Sequence, residues 1–168
     1  MGYKFARIIE NDISDSIDGI SVSFWCQGCK FHCKGCHNPQ SWDFNGGFDL
    51  PNDYKEIVLE LLHKNGIDRN LSILGGEPLV EENRQIVFDL IYFIKEHSPN
   101  TKIYLWSGYT YQQLKKMKDK RIDFILNNID YFIDGLFDET KRDVSLKLKG
   151  SSNQKIYKRI GKKLKLFG

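Results

Sequence analysis

All four cysteines of this 168-residue chain, Cys26, Cys29, Cys33 and Cys36, fall within eleven residues, and the other 157 contain none. A disulfide framework spreads its cysteines so that each bridge staples distant segments. This cluster staples nothing, so the fold must be held by an ordinary apolar core. Hydrophobic residues make up 40% and aromatic residues 13% of the chain. That is enough for one domain of this length to bury a core, and too much for a disordered one. What the cluster offers instead is a dense set of thiols on one loop, the composition of a metal or redox site.

Other function classes drop out on simple grounds. The longest apolar run, Leu90 to Ile94, is far too short to cross a bilayer. The start, MGYKFARIIENDISD, lacks the apolar segment of a secretory signal. The expectation is a cytoplasmic protein with neither a membrane nor a nucleic acid as partner. The net charge of +3 conceals an asymmetry: Lys155 to Lys165 holds six basic residues and no acidic one, and without it 19 basic residues face 22 acidic ones. Such a stretch can bind phosphates or an acidic partner, or be a solvated terminus. The chain therefore divides into a body, residues 1–154, and a basic C-terminal tail, residues 155–168.

Along the body, apolar periodicity switches repeatedly between the strand and helix periods. Ile20 to Cys26 alternates, with Ile20, Val22, Phe24 and Cys26 on one face and Ser21, Ser23 and Trp25 on the other. Ile57, Val58, Leu61 and Leu62 recur at helical spacing, closed by Gly66. Leu71 to Leu74 is a short strand stopped by Gly75-Gly76, and Glu82 to His97 is a helix ended before Pro99. Lys102 to Trp106 and Tyr131 to Asp134 are strands stopped by Ser107-Gly108 and Gly135; Tyr111 to Met117 and Ile122 to Asn128 are short helices. Val144 to Lys149 is one more candidate strand. Strands alternating with helices predict an α/β fold built on a parallel sheet. The chain is too short for a complete eight-unit barrel of about 250 residues. A partial, open TIM-like barrel of five or six βα units fits. The glycines and the cysteine loop all follow strands, which puts them at the carboxyl edge where such folds carry their sites.

The cysteine spacing, C-x2-C-x3-C-x2-C, admits three readings. Structural zinc sites separate two C-x2-C knuckles by a longer spacer than three residues. Bacterial ferredoxins order the gaps differently and place a proline where His37 stands here. The third reading uses Cys29, Cys33 and Cys36 alone. Three thiolates on a cubane cluster leave one iron open to a small molecule. Cys26 shares its strand face with apolar residues and is then most simply a core residue. A closed four-cysteine electron-transfer cluster is the rival.

Cys29-x3-Cys33-x2-Cys36 resembles the signature of the radical S-adenosylmethionine superfamily. The surrounding string, Gly28-Cys29, Lys34-Gly35-Cys36 and Asn38 to Trp42, is similar to the activating proteins of anaerobic (class III) ribonucleoside-triphosphate reductases. So are Gly75-Gly76-Glu77-Pro78, Trp106-Ser107-Gly108-Tyr109 and Gly150-Ser151-Ser152-Asn153-Gln154. The likeness spans about residues 18 to 154. Three positions depart from the pattern: Ile20-Ser21 after Asp18-Gly19, His37 after the last cysteine, and Leu136 where some relatives have lysine.

The resemblance implies that Cys29, Cys33 and Cys36 ligate a [4Fe-4S] cluster and that S-adenosylmethionine binds the open iron. Gly35, Cys36, His37, Gly75, Gly76, Glu77, Ser107 and Asp134 would contact that cofactor, with Tyr109 a further ribose or substrate contact. It implies cleavage to a 5′-deoxyadenosyl radical and formation of a glycyl radical on the reductase, with a flavodoxin-type electron donor. Activation of another glycyl-radical enzyme, such as pyruvate formate-lyase, is the nearer enzyme alternative. The GSSNQ segment would be either a contact with the reductase or a turn before the tail.

Overall fold

Val22, Phe24 and Cys26 are buried on one face of the strand Ser21–Cys26, and the whole architecture follows from what packs on either side of it. A computed structural model describes residues 2–168. In chain order the strands are β1 (Lys4–Asp12), β2 (Ser21–Cys26), β3 (Phe48–Asp49), β4 (Asn70–Gly75), β5 (Ile103–Ser107), β6 (Tyr131–Asp134), β7 (Lys155–Ile160) and β8 (Lys163–Leu166). The helices are α1 (Tyr54–Leu62), α2 (Glu81–His97), α3 (Tyr111–Lys116) and α4 (Lys120–Asn128). The eight strands form one sheet in the order β3-β1-β2-β4-β5-β6-β7-β8.

The centre of the sheet, β2-β4-β5-β6, is parallel. Parallel neighbours need crossovers, supplied by α1, by α2 and by the α3–α4 pair. Val22, Phe24, Leu71, Ile73, Leu105 and Phe132 point into the helix layer and form the main core with residues such as Val58, Leu90 and Ile125. Long apolar stripes explain the helices: α2 buries Ile86, Val87, Leu90, Ile91 and Ile94. Thr110 and Gln113 close a reciprocal capping box at the start of α3, and the Asp119 carboxylate caps α4. The opposite face carries a smaller cluster around Tyr104, Tyr131, Ile133 and Ile156, with Trp106, Ile17 and Leu148 against it.

Four expectations change. The parallel part has four strands and three crossovers, fewer than five or six units. The remaining length goes into antiparallel strands at both edges, so the sheet is mixed. The N-terminal strand β1 was not foreseen, because its nearly uniform partial burial leaves no alternation to read. The basic segment is not a free tail. Ile156, Tyr157 and Leu164 are buried, and β7 extends the sheet from β6 with Ile156 opposite Ile133. Its lysines hid that alternation. Val144 to Lys149 forms no strand: Val144 is exposed, and the only pairing nearby is an isolated bridge between Arg142 and Ser151.

Candidate functional site

Parallel register aligns the strand ends: Cys26 lies opposite Gly75, and Ser107 opposite Asp134. The chain leaving β2 therefore forms its cysteine loop directly beside the Gly75-Gly76 turn. The loop base is pinned by Gly28 N donating to Ser41 O at 2.6 Å and Cys29 N to Trp42 O at 3.1 Å. Gly75 has φ +131°, and a Cβ there would lie 2.4 Å from the Cys26 backbone; one on Gly76 would lie 2.5 Å from Gly28 O. These glycines are thus required by the close approach of two backbone segments of the chain itself.

A cavity of about 310 Å³ opens at this edge, on the sheet face away from the helices. Cys29, Cys33 and Cys36 line it together with His37, Gly75, Gly76, Glu77 and Ser107. Cys26 is not among the lining residues. Its side chain points into the helix-facing core, while its neighbour Trp25 reaches the cavity. Period-two alternation makes that separation unavoidable.

Burial pushes the Cys26 thiol far up. Burial also raises the Cys29 and Cys33 thiols, opposed by the Phe31 and His32 backbone N–H groups at Cys29 and that of Phe137 at Cys33. Cys36 Sγ takes the Asn38 backbone N–H at 3.4 Å. Main-chain donors thus meet each of the three cavity thiols. Among the described residues no three His, Cys, Asp or Glu side chains converge tightly enough for a single metal ion.

Several expected contacts have structural partners. The Glu77 carboxylate is buried and accepts from Ser107 Oγ at 2.7 Å, Gly108 N at 2.7 Å and Leu79 N at 2.9 Å. Burial, opposed by these donors, pushes it up to about 7. Its carbonyl takes the Asn83 amide at 3.0 Å. Ser107 Oγ also accepts from Tyr109 N at 3.1 Å, and the Tyr109 ring packs edge-on against Phe31. Asp134 does not line the thiol cavity. It faces a neighbouring one, and its carboxylate accepts from Tyr111 N at 2.7 Å, holding the start of α3. Gly35 lies off the cavity wall, beside the Glu139 side chain.

His37 meets the Phe137 ring at 5.1 Å, and His32 stacks on Trp42 at 4.5 Å. The GSSNQ segment is a closed turn. Gln154 Oε1 accepts from Gly150 N and Ser151 N, and its amide donates to Gly135 O. Gly150 and Gln154 nonetheless reach the cavity wall. The wall residues that sequence reasoning missed are Phe31, Phe137 and Leu148, aromatic or aliphatic loop residues without periodicity. Trp25 was not assigned to the site either, although strand alternation had set it on the face opposite to Cys26.

The family model described as "4Fe-4S single cluster domain" matches residues 18–157. The chain is 34% identical over 142 residues to the anaerobic ribonucleoside-triphosphate reductase-activating protein of Pasteurella multocida, covering 84% of this chain and 89% of that one. The chain belongs to the family of anaerobic ribonucleoside-triphosphate reductase-activating proteins. The Vibrio cholerae member is 31% identical, with 83% and 88% of the two chains covered, and that of Enterobacteria phage T4 is 29% identical, with 83% and 84% covered. Membership makes this an iron–sulfur, metal-binding activating protein, and the matched region takes in all four cysteines and both edge segments of the cavity. No helix among the described residues is long and apolar enough to cross a membrane.

Proposed function

We propose that this protein is a radical S-adenosylmethionine activase that installs a glycyl radical on anaerobic ribonucleoside-triphosphate reductase. The observation that carries the reading is the sorting of the four thiols: Cys29, Cys33 and Cys36 line one cavity with Gly75 and Gly76, and Cys26 lies in the core. In this reading the three cavity cysteines ligate a [4Fe-4S] cluster. When bound, that cluster supplies the electron that splits S-adenosylmethionine into methionine and a 5′-deoxyadenosyl radical, which takes a hydrogen atom from a glycine α-carbon of the reductase.

The chain's own residues do the rest. The Gly75 and Gly76 backbone forms the cavity wall nearest the cysteine loop and offers carbonyl acceptors to an ammonium group. Trp25, Trp106, Phe137 and Leu148 wall the cavity with apolar surface and keep water from a reactive intermediate. Glu77 fixes the Ser107-Gly108 edge. We read the parallel centre as a partial, open TIM-like barrel whose uncovered side admits a loop of another protein. The electron donor in this account is flavodoxin-like.

The test is anaerobic reconstitution with iron and sulfide, addition of S-adenosylmethionine and dithionite, and chromatographic assay of 5′-deoxyadenosine. Production dependent on both additions is expected. A fully loaded protein that makes none, and whose cluster spectrum ignores S-adenosylmethionine, would instead be a closed electron-transfer module.

A further inference from the structure

The basic stretch Lys155 to Lys165 has no part in the activity proposed above, and it folds onto a cavity of its own. β7 and β8 carry it against the ends of α3 and α4, where a space of about 420 Å³ opens. Arg159 from β7, Lys162 from the turn, Lys163 from β8 and Lys115 from the last turn of α3 line this space, and no carboxylate does. None of the four forms an ion pair among the described residues. The Asp130 carboxylate, at the head of β6, is engaged elsewhere: it accepts from Ile103 N at 2.9 Å and lies 3.9 Å from the Lys95 ammonium. Four like charges around one cavity repel one another, and an anion held between them relieves that repulsion. Arg159 is also held in place. Its Nε donates to Ile129 O at 2.7 Å and an Nη to Leu126 O, which uses two of its five donors. Those bonds occupy carbonyls at the end of α4 that would otherwise repel an anion.

We propose that this cavity is a second ligand site, independent of the cysteine loop, that binds a compact chain of phosphate groups, carried by a nucleotide or free as inorganic triphosphate. Its volume falls within the range of about 300–1,000 Å³ usual for small-molecule sites. An acidic peptide delivers one charge per residue, spaced about 3.3 Å or more along the chain. A terminal phosphate brings about −1.5 to −2 on three oxygens, so a short phosphate chain matches four cations within one cavity. An arginine fork and lysine point charges are the usual phosphate donors. Buried Leu126 and Leu164 and half-buried Tyr111 give the cavity an apolar floor, a surface on which the organic part of a nucleotide can pack.

The test is calorimetric titration of the anaerobically reconstituted protein, with S-adenosylmethionine present and divalent metal absent, using inorganic triphosphate, ATP and an oligoglutamate peptide in turn. Saturable one-to-one binding of triphosphate is expected, weakening as salt is raised. Lys115→Glu and Lys163→Glu, at exposed positions on two different elements, are each expected to weaken it about tenfold or more without lowering the melting temperature. Should either variant melt early, Lys115→Gln and Lys163→Gln, which remove the charge without reversing it, carry the same comparison. Lys102→Glu changes the net charge equally at an exposed position outside the cavity and is expected to keep wild-type affinity. ATP binding more tightly than triphosphate would support the site with a nucleotide as ligand, and equal binding would support it with the phosphate chain alone. Absence of saturable binding by the intact protein would overturn the proposal. So would equal affinity in wild type and all three lysine variants, which would seat the anion elsewhere, or equal weakening by all three, which would reduce it to net charge. Tighter binding of oligoglutamate than of either phosphate compound would overturn it in favour of an acidic protein partner.

Discussion

Glu77 Oε1 accepts the Gly108 backbone N–H at 2.7 Å, tying the turn after β4 to the end of β5 across the floor of the cavity. The second oxygen accepts from the Ser107 hydroxyl and Leu79 N–H. A carboxylate can serve three donors in this way; an amide cannot, since its NH₂ would face another N–H. Glu77→Gln is therefore expected to lower stability by about 1–3 kcal/mol, read by denaturant unfolding. The loss has a pH signature. The folded pKa, about 7, lies above the ordinary 4.5, so between those values the folded state binds the extra proton and wild-type stability falls as pH rises. Glu77→Gln lacks that titration, so its deficit should be smaller at pH 8 than at pH 5. A deficit independent of pH would contradict this account.

The Gly75 position leaves no room for a side chain, since a Cβ would sit 2.4 Å from both Cys26 N and O at φ +131°. Gly75→Ala must bear both backbone strain and a collision with main chain. The expected cost is about 3 kcal/mol or more. A melting temperature within a degree or two of wild type would show that the two strand ends are not packed as described.

Cys26 behaves as a small apolar residue. Cys26→Ala should lose about 1 kcal/mol of stability and keep the wild-type iron and sulfide content after anaerobic reconstitution. Alanine at Cys29, Cys33 or Cys36 should instead reduce bound iron severely while leaving metal-free stability nearly unchanged, because these side chains are only half-buried. Loss of iron in Cys26→Ala together with retention in Cys29→Ala would reverse the assignment.

On the outer hairpin Lys158 faces Lys165 directly across β7 and β8. Like charges in that position repel, and the Tyr131 and Phe167 rings, 5.8 and 5.3 Å from the Lys158 ammonium, ease it in part. Lys165→Glu should stabilise the protein by about 0.2–1 kcal/mol in low salt. The gain should vanish near 1 M salt, where charges are screened within about 3 Å. A gain unaffected by salt would point to packing rather than charge.

The central elements were legible because each carries a clean period. β2 alternates, α2 has an apolar stripe, and glycine punctuation marks the ends of β4 and β6. The thiol set was legible from spacing and strand alternation together, since Trp25 and Cys26 must face opposite ways. Edge strands were not. β1 is half-buried along its length, and the lysines of β7 and β8 looked like solvated tail although Ile156 and Tyr157 sit inside. The roles of Ser107 and Asp134 could not be read either. A side chain at a strand end looks the same in sequence whether it serves a ligand or, as with Asp134 and Tyr111 N, the first turn of the next helix. Phe31, Phe137 and Leu148 reach the cavity only through the path of irregular loops.

The central claim is tested most directly by electron paramagnetic resonance of the reconstituted protein mixed anaerobically with anaerobic ribonucleoside-triphosphate reductase, S-adenosylmethionine and reductant. The account predicts a glycyl-radical doublet that requires every component and is lost with Cys29→Ala, Cys33→Ala or Cys36→Ala but kept with Cys26→Ala. Absence of the doublet from a fully loaded wild-type mixture, or its persistence when Cys36 is replaced, would contradict it.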